Sequence, residues 1–409
     1  MGIERLLNPR GIVVALVLAV AAAWVGYLCV RTAIVQVVPV TSASVAQIAP
    51  RDPDVILGPA AIALVEQHGI LDAATLADVR LAAQRAPLDA RPFLILGHQQ
   101  LLDGQADRAL ATLEAAQLRD PRDRVVHLLL LDRYLRTGRY AEAAAQFAVS
   151  SRLVGPAQGA IANAMAQMSL APETRDAVRR TLAADPTLES DVLVALAKSD
   201  AAPTTIFALA SPAARRDAGN PESWGPVLVN RLIDKGRYAA ARSVWQSVYG
   251  LSSQQIAAPV FDAGFRQLPG SPPFNWTLVA NGLGAADIRG GTLSINYYGR
   301  DNGDLAQQLL VLRPGRYRFA ITAEGGKTGT GPSLIWSLRC KAGAAGDLMT
   351  LPVVAKGGPH RNTADFVVPA NCPAQQLTLS GAAGEFPAPI NLTLRDLDLR
   401  AAAAAGAPK

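Results

Sequence analysis

The sequence has few of the residues that build metal and nucleophile sites. Its 409 residues include four histidines and three cysteines, and no histidine has a recognisable metal-ligand spacing to another ligand type. No GxSxG, Walker-type loop, CxxC or strand-to-helix GxGxxG occurs. We therefore expect no metal, no cofactor and no catalytic role. An enzyme whose site is unrecognised remains the last alternative.

Concentrated charge of one sign is also lacking. The formal net charge of +6 comes from scattered arginines, without a tract of five or six like charges. Nucleic-acid binding normally needs a clustered basic face with interleaved aromatics, and aromatics make up only 5% of the residues. We therefore expect no nucleic-acid partner.

A long hydrophobic run stands near the N-terminus. Residues 11–30, GIVVALVLAVAAAWVGYLCV, carry no charge, and twenty residues at helical rise match the hydrocarbon core of a bilayer. The alternative is a cleaved signal peptide with Ala21–Ala23 as its small-residue site, although the apolar run continues through Trp24 and Tyr27. A lipoprotein site at Cys29 is disfavoured because bulky residues precede it.

The charges beside this run predict its orientation. Arg5 and Arg10 precede it, and positive residues flank the cytoplasmic side of membrane helices. We expect residues 1–10 in the cytoplasm, residues 11–30 as a single-pass helix of the inner membrane, and the bulk of the chain in the periplasm. Residues 31–54, which three prolines interrupt, are expected to be a tether.

A helix-pair pattern recurs at an interval of 34 residues. Within residues 90–123, helices are expected over about 91–102 and 106–118, with Gly104 at the turn. A shift of 34 residues places Gly138 at the corresponding turn, and GRYAAARSVW from residue 236 repeats GRYAEAAAQF from residue 138. The small residues of the first unit are Gly97, Ala109 and Ala116, and its large apolar residues are Phe93, Leu96 and Leu113.

This order resembles the tetratricopeptide repeat, whose unit of 34 residues has the same small and large positions. Gln100 departs from the pattern, because the family has a tyrosine there. The resemblance covers residues 55–260 and implies an α-solenoid whose concave surface binds a protein or peptide partner. The aromatic residues at repeat positions are expected in its core: Phe93, Tyr134, Phe147 and Trp245.

From residue 268 the chain changes to short alternating runs separated by Pro- and Gly-rich turns. In TLSINYYG, Leu293, Ile295 and Tyr297 share one face of a strand. The spacing predicts an antiparallel β-sandwich over residues 268–400, followed by a disordered tail at 401–409. The expected fold class is therefore α + β multidomain: a transmembrane helix, an α-solenoid and a jelly-roll sandwich.

The segment LAQQLLVLRPGRYRFAITAEGG, residues 305–326, resembles a strand pair of jelly-roll carbohydrate-binding modules of the galactose-binding-like type. The matching residues are Gln307 or Gln308, Leu312, Pro314, Gly315 and Tyr317. The resemblance implies a polysaccharide ligand for the sandwich, with a purely structural sandwich as the alternative.

Five residues are candidate sugar contacts. Sugar binding needs exposed aromatic platforms with polar partners, because pyranose faces are apolar and their edges carry hydroxyl groups. Tyr298 is the best platform, since alternation turns it away from the core, and Asn296 shares its face. Arg318 and Arg339 are candidate donors. Trp336 is a weaker candidate because it shares its parity with leucines.

Cys340 and Cys372 are disulfide candidates, since the periplasm is an oxidising compartment. The bond would tie the Trp336 strand to the segment before QQLTL and contribute about 3 kcal/mol. Two reduced thiols are the alternative.

The leading hypothesis is a non-catalytic, membrane-anchored periplasmic adaptor. Its repeats would hold a protein partner, and its sandwich would contact envelope polysaccharide or exopolysaccharide. The second hypothesis is a purely protein-binding envelope assembly factor with a structural sandwich. This association with envelope assembly rests on architecture alone.

Overall fold

The structure is a computed structural model that describes residues 9–39, 42–66, 69–153, 158–326, 331–343 and 346–402. Most of the expected cytoplasmic segment (residues 1–8) and most of the expected tail (residues 403–409) lie outside the described residues. The chain divides into two compact units, Met1–Ile161 and Ala162–Lys409. The helices expected over residues 55–260 are therefore distributed over both units.

Helices fill the chain up to residue 248. In chain order they are α1 (Pro9–Val37), α2 (Ala43–Ile48), α3 (Pro53–Glu66), α4 (Ala73–Arg85), α5 (Arg91–Leu102), α6 (Ala106–Arg119), α7 (Arg124–Arg136), α8 (Tyr140–Leu153), α9 (Gln158–Met168), α10 (Pro172–Ala183), α11 (Pro186–Lys198), α12 (Pro203–Leu209), α13 (Pro212–Arg216), α14 (Trp224–Asp234) and α15 (Tyr238–Val248).

Strands follow a segment of turns and loops, residues 249–276. They are β1 (Thr277–Leu278), β2 (Ala280–Asn281), β3 (Gly284–Arg289), β4 (Thr292–Tyr297), β5 (Gly303–Leu310), β6 (Gly315–Gly325), β7 (Ser333–Cys340), β8 (Asp347–Pro352), β9 (His360–Val368), β10 (Gln375–Ala382) and β11 (Ile390–Ala401).

Helix α1 is long and apolar enough to cross a membrane over Ile12–Val35. It continues past the expected end of the apolar run and joins the folded part of the first unit. Val35 packs against apolar residues of α2 and α3, and Arg31 forms an ion pair with Asp52 at 3.5 Å. The segment 31–54, expected to be a tether, is therefore largely helical and packed.

The helix pair α5–α6 has the predicted turn and the predicted close approach. Gly104 lies in the turn between α5 and α6 with a φ of 75°, a left-handed conformation that glycine adopts without steric cost. A Cβ atom at Gly97 would lie 2.8 Å from the Leu113 side chain, so only glycine permits this packing. Asp123 then caps α7 by accepting hydrogen bonds from the backbone N–H groups of Val125 and Val126.

The expected aromatic core positions have different environments. Tyr134 and Phe147 are buried. Phe93 is only half-buried, and the Arg119 guanidinium lies 3.8 Å from the centroid of its ring. That position therefore uses a cation–π contact in place of a closed apolar core.

In the second unit, Trp245 of α15 packs on the segment that leads into the sandwich. Its ring centroid lies 4.9 Å from that of Phe261 and 5.7 Å from that of Phe274. Its indole N–H donates to the Ser271 carbonyl oxygen at 2.9 Å. Trp245 is thus core, as predicted, but its core is shared between helix and β region. We call this contact the α15 joint.

Two antiparallel sheets form the sandwich. The five-stranded sheet has the order β1-β5-β10-β7-β8, and the six-stranded sheet has the order β2-β3-β4-β11-β6-β9. Its core begins earlier than the expected boundary at residue 268, because Val260 and Phe265 belong to it. Apolar side chains from alternate positions of both sheets meet between them, with Tyr297, Phe319 and Trp336 among the largest fully buried.

Candidate functional site

Alternation along β4 separates core from surface as predicted. Leu293, Ile295 and Tyr297 are buried, whereas Ser294 and Asn296 are exposed. Since successive side chains of a strand point to opposite faces, the polar residues lie on the outer face of the six-stranded sheet. Tyr298, just after the strand, is 39% exposed.

Strand register gathers more polar residues around Asn296. Asn391 of β11 is its Cα partner, and Thr393 is the partner of Ser294. On the other side of β4, Asp287 of β3 is also paired with Ser294. Pairing between strands therefore places side chains that are about a hundred residues apart within a few ångströms.

These residues line a shallow cavity of about 330 Å³ on the outer face. We call it the outer groove. Its polar lining consists of Asp287, Ser294, Asn296, Glu324, Asn391 and Thr393.

Four of these side chains are free to bind. Among the residues that the structure describes, the side chains of Ser294, Asn296, Asn391 and Thr393 make no intramolecular hydrogen bond. Each amide offers two N–H donors and a carbonyl acceptor, and each hydroxyl offers one donor and two lone pairs. The set matches a ligand with many neighbouring hydroxyl groups.

The charged residues of the outer groove are already paired. Glu324 forms an ion pair with Arg395 at 3.2 Å, and Asp287 forms one with Arg289. The groove therefore presents mainly neutral donors and acceptors to a ligand.

Two partly or largely exposed aromatic side chains, Tyr298 and Phe386, lie just after β4 and in the loop before β11. Tyr298 follows β4, and the next residue, Gly299, has no room for a Cβ because the Ala388 carbonyl oxygen lies against it. Ala388 belongs to the loop between β10 and β11, and this loop also carries Phe386, which is 77% exposed. The sequence offered no signal for Phe386, because it lies in a loop without periodicity.

Trp336 is not a sugar contact. Its side chain is fully buried, and its ring packs between those of Trp276 and Phe319, with centroids 6.1 and 5.6 Å away. This corrects the expectation that Trp336 contacts a sugar. Trp336 is buried because it lies on the same face of β7 as Leu334 and Leu338.

The two candidate arginines do not converge on Tyr298. Arg318 lies on β6 in a bidentate pair with Asp365, with both N···O distances 2.7 Å. Arg339 lies on β7, in the other sheet, and pairs with Asp347. Each guanidinium hydrogen bond holds the pKa of its carboxyl partner below the usual range. Alternation along β6 and β7 places both arginines on outer faces, but it does not reveal in which sheet each strand lies or which carboxylate each arginine pairs with.

Cys340 and Cys372 are joined by a disulfide with 5.5 Å between their Cα atoms. The bond ties the end of β7 to the segment before β10, where the Gln375 amide donates to the Cys372 carbonyl oxygen at 2.8 Å. It lies away from the outer groove, on the five-stranded sheet.

A second cavity, of about 360 Å³, lies in the loop after α15. The Asp262 carboxylate, which lines it, is already used in hydrogen bonds to the backbone. Asp262 accepts hydrogen bonds from the backbone N–H groups of Arg266 and Gln267 at 2.8 and 2.9 Å. In the described part of the chain, no group of three His, Cys, Asp or Glu side chains is arranged to hold a metal ion.

No protein-family model matches the chain, and no curated protein matches its sequence. Among solved structures, it is similar to a CBM4 structure, with 13% identity over 35% of this chain and 99% of the other and a TM-score of 0.27. It is also similar to TmCBM61 in complex with β-1,4-galactotriose, with 13% identity over 36% of this chain and 99% of the other and a TM-score of 0.26. A third is the N-terminal cellulose-binding domain of Cellulomonas fimi β-1,4-glucanase C, with 15% identity over 36% of this chain and 99% of the other and a TM-score of 0.25. With scores this low, a function for this chain has to follow from its own residues.

Proposed function

We propose that the protein is a non-catalytic, membrane-anchored periplasmic adaptor whose sandwich binds a glycan in the outer groove. The observation that carries the proposal is the set of four unbonded polar side chains on adjacent strands β4 and β11. Amide and hydroxyl groups of this kind can donate to and accept from sugar hydroxyls. The paired charges favour an uncharged stretch of envelope polysaccharide or exopolysaccharide.

The membrane anchor is supported by the exposure of α1. Trp24 and Tyr27 are more than half exposed, and so are Val25 and Val30. Cleavage after Ala23 would leave these apolar side chains in water. A bilayer covers them, and the aromatic pair then lies near its interface.

Retention of the full-length protein on immobilised polysaccharides tests the glycan site. Asn296→Ala and Asn391→Ala should each weaken retention about three- to tenfold, the effect of losing one hydrogen bond. Ser337→Ala on the outer face of β7 is the matched control and should bind like the wild type. Equal weakening by all three variants would contradict a site in the outer groove.

Tyr298→Ala tests the aromatic platform. We expect weaker retention with an unchanged melting temperature, because the ring is partly exposed and its removal opens no cavity. A large fall in melting temperature would make Tyr298 a core residue. No retention of the folded wild-type protein on any polysaccharide would favour the purely protein-binding assembly factor.

A protein partner is the second part of the adaptor proposal. Val125 and Leu128 of α7 are 52% and 57% exposed, and Leu135 lies on the same helix face seven residues further on. A photo-crosslinker at residue 128 should capture a discrete partner in cells, whereas the exposed position 145 on α8 should not. Equal capture at both positions would contradict a docking face on α7.

A further inference from the structure

The membrane end of the first unit holds three arginines. Arg31 on α1 forms an ion pair with Asp52 at 3.5 Å. Arg51 directly precedes Asp52, and the Arg85 side chain donates to the Arg51 carbonyl oxygen at 2.8 Å. We call Arg31, Arg51 and Arg85 the arginine collar.

The collar carries excess positive charge. Asp52 is its one carboxylate within ion-pair distance among the described residues, while the nearby Asp54 is engaged by Arg91. Arg51 and Arg85 are exposed, and their guanidinium groups have no carboxylate partner in the part of the chain that the structure describes. Arg91 is shared by Asp54 and Asp89, so the four guanidinium groups of this region face three carboxylates and leave a net charge of +1.

The length of the anchor helix α1 sets the level of the arginine collar relative to the bilayer. Twenty residues of helix, 11–30, span about 30 Å, the thickness of the hydrocarbon core. Arg31 therefore emerges at the level of the headgroups. Because Arg31 pairs with Asp52 and Val35 packs against α2 and α3, the loop with Arg51 is held at the same level.

We propose that the arginine collar binds the phosphate groups of anionic phospholipids. This inference rests on the proposed membrane anchor and adds a lipid site to it. Guanidinium groups match phosphate oxygens in geometry and charge, and the headgroup region supplies phosphates at the depth of the collar. The site would hold the first unit against the membrane surface.

The test uses full-length protein in neutral detergent, titrated with dioctanoyl phosphatidylglycerol, dioctanoyl phosphatidylcholine or inorganic phosphate. Binding is measured by microscale thermophoresis. Phosphatidylglycerol should bind more tightly than the other two, and higher salt should weaken it. Arg51→Gln should weaken it about fivefold, and Arg51→Gln with Arg85→Gln about 25-fold.

The matched control carries Arg80→Gln and Arg108→Gln, two exposed arginines outside the collar. It has the same net charge as the double variant and should bind like the wild type. Equal loss in both double variants, or equal affinity for the two lipids, would overturn the proposal. Phosphate binding as tightly as phosphatidylglycerol would overturn the assignment to lipid.

Flotation with pure phosphatidylcholine vesicles separates this proposal from the anchor. Wild type and collar variants should all float, because α1 inserts without anionic lipid. If the wild type floats but the collar variant binds phosphatidylglycerol as tightly as the wild type in the titration, the lipid site alone is overturned. Failure of the wild type to float would overturn the anchor.

Discussion

Tyr134 shows how a repeat position acquires an electrostatic role. Its hydroxyl group donates to the Glu114 carboxylate at 2.9 Å. Burial, reinforced by this hydrogen bond, raises the pKa of Tyr134 to about 12 from an ordinary value near 10. The folded state therefore keeps the phenol proton at a pH where the unfolded chain has lost it.

This shift predicts a stability change at alkaline pH. A folded pKa above the unfolded one contributes stability that is complete below pH 10 and is lost as the pH rises towards 12. Tyr134→Phe lacks this titration and should be about 1 kcal/mol less stable than the wild type at pH 8. Denaturant unfolding from pH 8 to 12 should show the difference shrinking. A constant difference over that range would contradict the shifted pKa.

The sequence predicted which face of a strand each side chain of the sandwich occupies, but not which residues of other strands lie beside it. Period-2 alternation places Tyr298 outward and Trp336 with the leucines, because a strand has two faces. It carries no information on which strands become neighbours. Asn391 lies beside Asn296 because β11 pairs with β4. Arg339 lies in the other sheet because its strand, β7, pairs with β10 and β8.

The α15 joint is the element that ties helices to strands in the second unit. A Cβ atom at Gly270 would lie 2.6 Å from the Trp245 ring, and its φ of 131° is one that other residues rarely adopt. Tyr249 adds a hydrogen bond from its hydroxyl group to the Ser271 hydroxyl oxygen at 2.7 Å. The joint tolerates no extra atom at this position.

Gly270→Ala should therefore destabilise the second unit by about 1–3 kcal/mol. Gly282→Ala is the control, because nothing lies within 4 Å of its added Cβ. Its effect should stay within about 0.5 kcal/mol. Tryptophan fluorescence during denaturant unfolding measures both. Equal stability of the two variants would contradict the packing described for the joint.

The bounds of helices α5 and α6 could be predicted from local signals, whereas the packing of residues 31–54 could not. Helices α5 and α6 match the prediction within one residue, since turn glycines and periodic apolar residues lie within the segment itself. The packing of residues 31–54 depends on Val35 meeting α2 and α3. Prolines and small residues suggested a tether because this contact leaves no periodic trace.

At the scale of the whole molecule, the proposals give each part a separate contact. Helix α1 and the arginine collar meet the membrane, the helical region offers α7 to a protein, and the sandwich offers the outer groove to a glycan. The succession of an apolar helix, a helical region and an antiparallel sandwich was predictable from composition and periodicity, since each region has its own pattern, whereas the tetratricopeptide solenoid stays a prediction. Asn296 of the outer groove was predicted from alternation, but the residues that meet it across the strands and the residues of the collar were not, because those contacts are distant in sequence.

Hydrogen–deuterium exchange of the full-length protein, with and without a retained polysaccharide, tests the glycan site most directly. We predict slower exchange in β4 and β11, which carry the unbonded amide and hydroxyl side chains, and unchanged exchange in β7 and β10. Protection confined to β7 and β10, or to the helices, would contradict the outer groove as the binding site.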